Sequence, residues 1–150
     1  MSNPKTYRKI LNFLSVATAP FVRVRISGIE NIPATGGAIL TPNHISQLDP
    51  VLLGVAIRKK RQVRALAKES LFRAPVVGKA MKAMGHVPVY RDTGDAQKAL
   101  HAAVEAVESG MVLGIYPEGT VPTTLDEMGP FKSGAARIAI ATGAHLIPVG

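Results

Sequence analysis

The chain has 150 residues, 47% of them hydrophobic and 19% charged, with a mean hydropathy of +0.19. That composition suits one globular domain with a core and excludes a disordered tail, and the absence of cysteine excludes disulfides, thiol catalysis and thiolate metal sites. The net charge of +8 is uneven, because residues 1–91 carry 15 Lys and Arg against 3 acids (+12) whereas residues 92–150 carry 3 against 7 (−4); such asymmetry points to an anionic partner, whether phosphate, membrane surface or nucleic acid.

In chain order, the first predicted element is an amphipathic helix over about Pro4 to Ala19. Tyr7, Ile10, Leu11, Leu14 and Ala17 or Thr18 share one face, with Lys5, Arg8, Lys9 and Asn12 mostly off it. No apolar stretch reaches the roughly 18 to 20 residues of a membrane-spanning helix, since Asn12, Ser15, Thr18 and Pro20 interrupt the run Ile10 to Val22. A secretory signal has basic residues and Ala17-Thr18-Ala19 in its favour, but Asn12 and Ser15 break its apolar region and Pro20 follows the cut. A basic helix with an apolar stripe suits the membrane interface and suits packing on its own domain equally well.

Beyond it, strand-like apolar runs at Val22 to Ile26, Ala38 to Thr41, Val63 to Ala67, His86 to Val89, Val112 to Tyr116 and Leu146 to Val149 alternate with helical stretches. The helices are expected at about Pro50 to Arg58, Pro75 to Met84, Gly94 to Ser109 and Lys132 to Thr142. Ser109-Gly110 has the composition of a helix C-cap, and Pro75 that of a first helical turn. Alternating strands and helices, with near-continuous apolar strands, predict an α/β fold: a largely parallel central sheet flanked by helices, in one domain over residues 1–150, the first 19 forming the amphipathic helix.

The chemistry-bearing residues follow the predicted strands. In Asn43-His44-Ile45-Ser46-Gln47-Leu48-Asp49-Pro50 the histidine and the aspartate stand five apart, about 140° around a straight helix, so only a turn brings them together. Pro50 suits a first helical position and Asp49 the N-cap before it, leaving His44 on the loop within reach. An Asp held on one imidazole nitrogen fixes the tautomer and stabilises the imidazolium that forms as the other nitrogen takes a proton, which makes a general base for a hydroxyl. By itself the pair reads as readily as a helix cap beside a loop histidine. Two ligands without a third do not make a metal site.

Glu118, Gly119 and Thr120, in Tyr116-Pro117-Glu118-Gly119-Thr120, offer an acceptor, a tight turn and a hydroxyl. Gly85-His86-Val87-Pro88-Val89-Tyr90-Arg91 ends in an arginine able to grip phosphate bidentately. Each block alone is ordinary. Their order, Asn-His-x4-Asp, Gly-x5-Arg, Tyr-Pro-Glu-Gly-Thr and a closing Ile147-Pro148-Val149, resembles the glycerolipid acyltransferase family, the group that contains the 1-acyl-glycerol-3-phosphate (lysophosphatidate) acyltransferases. The flanks Gly28-Ile29-Glu30-Asn31-Ile32-Pro33 and Lys132-Ser133-Gly134-Ala135-Ala136-Arg137 fit as well, so the resemblance runs from about Val22 to the last residue.

The resemblance implies a glycerol-3-phosphate acyltransferase-like fold. It also implies that His44 deprotonates an acceptor hydroxyl for attack on the thioester of acyl-CoA or acyl-carrier protein, with Asp49 orienting it. Arg91 is then the residue that holds the acceptor phosphate, Glu118, Gly119 and Thr120 shape the acceptor pocket, and Ile147 to Val149 line the acyl or acceptor site. No metal and no cofactor beyond the thioester donor is implied. The partners are that donor, a lysophospholipid acceptor and an anionic membrane surface, and the place of action is the cytoplasmic face of the cell membrane as a peripheral protein. The oxyanion donor is expected among the backbone amides at the helix start after Asp49. Family members usually continue for dozens of residues past the last motif, so the chain is expected to be truncated at its C-terminus.

One departure matters: the family usually has an arginine after Glu-Gly-Thr, and here Val121 and Pro122 follow. Lys68, at a predicted strand end, is a candidate to supply the missing phosphate contact, as are Arg91 and Arg137; Lys68 also reads as a solvated lysine. The departure admits another lysolipid or a glycolipid as acceptor, and from a different class a non-catalytic module that binds membrane or carrier protein. The run Arg58-Lys59-Lys60-Arg61 with Arg64 reads as a solvated helix end favoured by the dipole, or as a contact for lipid headgroups, CoA phosphates or an acidic carrier protein. Nucleic acid is not expected, because the chain has no Trp and only 3 Tyr and 4 Phe. His86, His101 and His145 are expected to be structural or surface residues.

Overall fold

The computed structural model describes residues 3–89, 96–122 and 129–150. Helix α1 (Pro4–Thr18) is followed by strand β1 (Ala38–Pro42), helix α2 (Asp49–Ile57), β2 (Val63–Lys68), α3 (Val77–Met84), β3 (Val87–Val89), α4 (Ala96–Glu108), β4 (Val112–Gly114), α5 (Gly134–Thr142) and β5 (His145–Val149). The strands form one sheet in the order β3-β2-β4-β1-β5. All four pairings are parallel, as the near-continuous apolar runs predict.

The order follows from handedness. The connections β1 to β2 and β2 to β3 run one way across the sheet and the next two run back, so right-handed crossovers place α2 and α3 on one face and α4 and α5 on the other. Side-chain alternation along the strands matches: Ile39 and Leu113 pack with Val107 of α4 and Ile138 of α5, whereas Ala38, Leu40 and Val112 pack with Ile57 of α2. Ser109-Gly110 closes α4 as expected, with Gly110 in the left-handed region at φ +84° and its N–H donating to the Val107 carbonyl.

One expectation changes. Residues 22–28 form no strand, and Val24 and Ile26 are exposed. Alternating Val and Ile with Arg23 and Arg25 supplies the side-chain period of an edge strand, but the segment pairs with neither edge of the sheet, β3 or β5. The apolar stripe of α1, in turn, is spent on the domain itself. Tyr7 and Leu11 are buried against Val55 of α2 and Met84 of α3, with Ile10 and Leu14 beside them. The helix starts where the sequence dictates, the Asn3 side chain accepting from the Lys5 N–H ahead of Pro4.

Tyr7 is the anchor of that packing. Its hydroxyl donates to the Val63 carbonyl at 2.9 Å and accepts from the Val63 N–H at 3.0 Å, satisfying both backbone groups at the start of β2. Burial, opposed by the Val63 hydrogen bond and the Arg64 charge, pushes the phenol up to about 12, so it stays a donor. Tyr7→Phe leaves two buried backbone groups unpaired and is expected to lower stability by about 2 kcal/mol, read by urea unfolding; a change under about 0.5 kcal/mol would show that water replaces the phenol freely.

His86 is structural, as expected. Its Nδ1 accepts from the Ala65 N–H of β2 at 2.9 Å, and burial, aided by the Arg64 charge, brings its pKa down to about 4. The unfolded chain therefore binds this proton more readily than the folded one, so the contribution to stability is complete above pH 6.5 and is lost as pH falls from 6.5 towards 4. The loss amounts to about 3 kcal/mol at most. Urea midpoints measured across that window should fall for the native chain and fall less steeply for His86→Gln; parallel slopes would assign the acid sensitivity elsewhere.

Candidate active site

Adjacent strands β1 and β4 send their following segments to opposite faces of the sheet, which opens a crevice at their carboxyl ends. The two blocks singled out in the sequence meet there. His44 follows β1, Glu118 follows β4, and the backbone N–H of His44 donates to Glu118 Oε2 at 2.8 Å across 74 residues of chain. Glu118 is 5% exposed, and this bond gives the buried carboxylate a partner.

The Asn43 to Asp49 loop is organised by a single oxygen. Asp49 Oδ2 accepts from the N–H groups of Ile45 (2.7 Å) and Ser46 (2.8 Å) and lies 3.0 Å from His44 Nδ1. An ionised carboxylate is acceptor-only, so Nδ1 carries the proton and Nε2 keeps its lone pair. Asp49 is the first residue of α2 rather than its N-cap, which is Leu48. Its carboxylate turns back to the loop because Ser46 prepares the turn, accepting from the Asp49 N–H on its carbonyl and from the Leu48 N–H on its hydroxyl. The negative charge at this helix start is also favoured by the dipole.

Tyr116 completes the pocket wall. Its ring lies 4.3 Å from the His44 ring, tilted by 33°, and limits the imidazole's freedom. Burial and, secondarily, the Asp49 charge raise the phenol pKa well above its ordinary value, and the hydroxyl has no hydrogen-bond partner among the described residues. The expected oxyanion donors are not at the helix start: Pro50 has no N–H, and the amides of Val51 and Leu52 both donate to the Leu48 carbonyl. The first turn of α2 uses these donors itself.

The remaining predicted residues divide. Gly119 makes the turn after Glu118 at φ +71°, its N–H donating to the Tyr116 carbonyl. Thr120 is exposed beside it and its hydroxyl bonds the Val121 carbonyl. Lys68 ends β2 at the same carboxyl edge of the sheet, exposed and in register with Val89. Arg91 lies outside the described residues. Ile147 to Val149 belong to β5, paired along β1, with Ile147 and Val149 against the cluster around Leu40.

Lys132 was legible only as part of a flanking block, yet its N–H donates to the Pro117 carbonyl and its ammonium comes within 2.8 Å of where a Cβ on Gly119 would stand. Nothing in a spacing of thirteen residues announces that proximity. Among the described residues no group of three His, Asp or Glu side chains is placed to hold a metal ion.

A parallel α/β sheet with a carboxylate-held histidine in its crevice defines a class of site built for base-assisted group transfer. The profile of the Acyltransferase family matches residues 23–150, and the chain belongs to that family. It is 34% identical over 137 residues to the chloroplastic 1-acyl-sn-glycerol-3-phosphate acyltransferase BAT2 of Brassica napus, covering 90% of this chain and 39% of that protein. To the 1-acyl-sn-glycerol-3-phosphate acyltransferase of Bacillus subtilis it is 30% identical over 142 residues, covering 95% and 69%. The crystal structure of the 1-acyl-sn-glycerophosphate acyltransferase PlsC from Thermotoga maritima superposes with a TM-score of 0.73 at 27% identity, covering 97% of this chain and 59% of that one. The chain thus spans about two fifths of the plant relative's length.

Proposed function

We propose that this chain carries the catalytic centre of an O-acyltransferase that moves a fatty acyl group from a thioester, acyl-CoA or acyl-carrier protein, to the free hydroxyl of 1-acyl-glycerol-3-phosphate, forming phosphatidate for phospholipid synthesis. The observation that carries the reading is His44 Nδ1 held at 3.0 Å by Asp49, which leaves Nε2 as the base. Nε2 takes the hydroxyl proton as the oxygen bonds to the thioester carbonyl carbon; the tetrahedral adduct then collapses with loss of the thiolate, which takes the proton back from the imidazolium. Glu118 acts as a positioning residue through the His44 backbone, and Gly119 and Thr120 form the turn beside it.

In this reading Arg91 and Lys68 hold the acceptor phosphate. The protein acts in this reading as a peripheral protein on the cytoplasmic face of the membrane; contact with a membrane surface draws support from apolar side chains left exposed in segments that follow the strands: Ile45 and Leu48 in the His44 loop, Leu71, Val76 and Val77 after β2, and Phe131 next to Lys132. Val121, in place of the family's arginine, favours as a second reading a different lysolipid or a glycolipid acceptor. Mass spectrometry of the products from a mixed acceptor pool and one acyl-CoA tests both readings. Phosphatidate as the main product supports the first; transfer at equal rates to lysophosphatidate and a phosphate-free lysolipid removes Arg91 and Lys68 from their roles.

A further inference from the structure

A second cleft lies at the other end of the sheet. It measures about 690 Å³ and is lined by Arg8 of α1 together with Arg58, Lys59, Lys60, Arg61 and Arg64. Asn12 of α1 adds to the wall, and Gln62, ahead of β2, with Gly110 and Met111, ahead of β4, fix its place at the amino ends of these strands. Because every strand pairing is parallel, this is the pole opposite His44.

Six cations share the wall, and among the described residues no carboxylate lines it. Arg61 is held in place without an acid, its guanidinium donating to the carbonyls of Pro33 (2.7 Å), Gly36 (2.9 Å) and Gly110 (2.6 Å), so a fixed positive charge sits at the cleft's edge. The backbone N–H groups of Lys60 and Arg61 wrap back onto the Ile57 carbonyl, which turns the basic run across the end of α2 instead of letting it trail into solvent. A concave surface of this size with like charges converging on it is suited to a compact polyanion.

We infer that the cleft formed by Arg8, Lys59, Lys60 and their neighbours binds a soluble ligand carrying at least two phosphate groups, at a site separate from the His44 crevice. The inference does not rest on the acyl-transfer reading. Both the nucleotide end of a CoA-type molecule and a free polyphosphate have this chemistry.

Calorimetric titration of the full chain with adenosine 3′,5′-bisphosphate, and separately with inorganic tripolyphosphate, tests it. The double reversal Lys59→Glu/Lys60→Glu, both exposed side chains, is expected to weaken binding at least about tenfold, while Lys79→Glu, an exposed residue in the first turn of α3 away from the cleft, leaves it within about twofold. Equal affinity for both compounds means that phosphates alone are read; preference for the bisphosphate means that the nucleoside is read too, and either supports the site. Should the double variant not fold by circular dichroism, Arg8→Gln on the facing wall is read with a loss of about threefold expected. Undiminished binding in the Lys59/Lys60 or Arg8 variants, loss confined to Lys79→Glu, or an effect seen only with phosphatidylglycerol vesicles and not with the soluble compounds overturns the inference.

Discussion

His44→Ala is expected to lower the rate of acyl transfer by about 10²- to 10⁴-fold, the usual contribution of a positioned base, with a stability loss of about 1 to 2 kcal/mol. The side chain is 14% exposed, pairs with Asp49 and lies 4.3 Å from the Tyr116 ring, so its loss removes one ion pair and some buried packing. Its backbone N–H still reaches Glu118, so the loop keeps its tie to the β4 end. Thiol release from an acyl-CoA, followed with a chromogenic disulfide, gives the rate, and urea unfolding gives the stability. Activity equal to the unsubstituted chain ends the catalytic assignment; a collapse of stability without a specific loss of rate makes His44 a structural residue.

Asp49→Asn is expected to produce a rate loss of similar order together with a stability loss of about 2 kcal/mol. One oxygen of Asp49 accepts two backbone N–H groups and faces Nδ1. An amide oxygen can occupy the same place, so the loop has a route to its fold, but the three interactions lose their charge assistance. The imidazolium that forms as Nε2 takes the proton also loses its counter-ion. The separating observation is the comparison of Asp49→Asn with Asp49→Ala. If the carboxylate acts only by holding the loop, Asn restores most of the rate that Ala loses; if its charge acts on His44, Asn restores stability and leaves the rate low.

Much of the architecture was legible because it is written in local periodicity. Five of the six expected strands and all five helices lie where the apolar pattern and the Pro and Gly punctuation put them, to within a few residues at the ends. The exception, Val22 to Ile26, has a sound period and no partner, and the availability of a partner is not a property of the segment. The same distinction governs α1. Its stripe was readable, but what covers it was settled by Tyr7 finding both backbone groups of Val63, 56 residues away.

The sequence by itself determined the class of fold, the His44 and Asp49 pair and the family, because these depend on residue types at short spacings and on motif order. Tertiary structure alone decided that β4 inserts between β1 and β2, bringing Glu118 to the His44 backbone and Lys132 to Gly119. It also decided that Arg8 and the basic run after α2 share one cleft at the far pole. A period states which face of an element is apolar and is silent about which element covers it; that choice belongs to the crossover connections and to long-range packing, which no local spacing records.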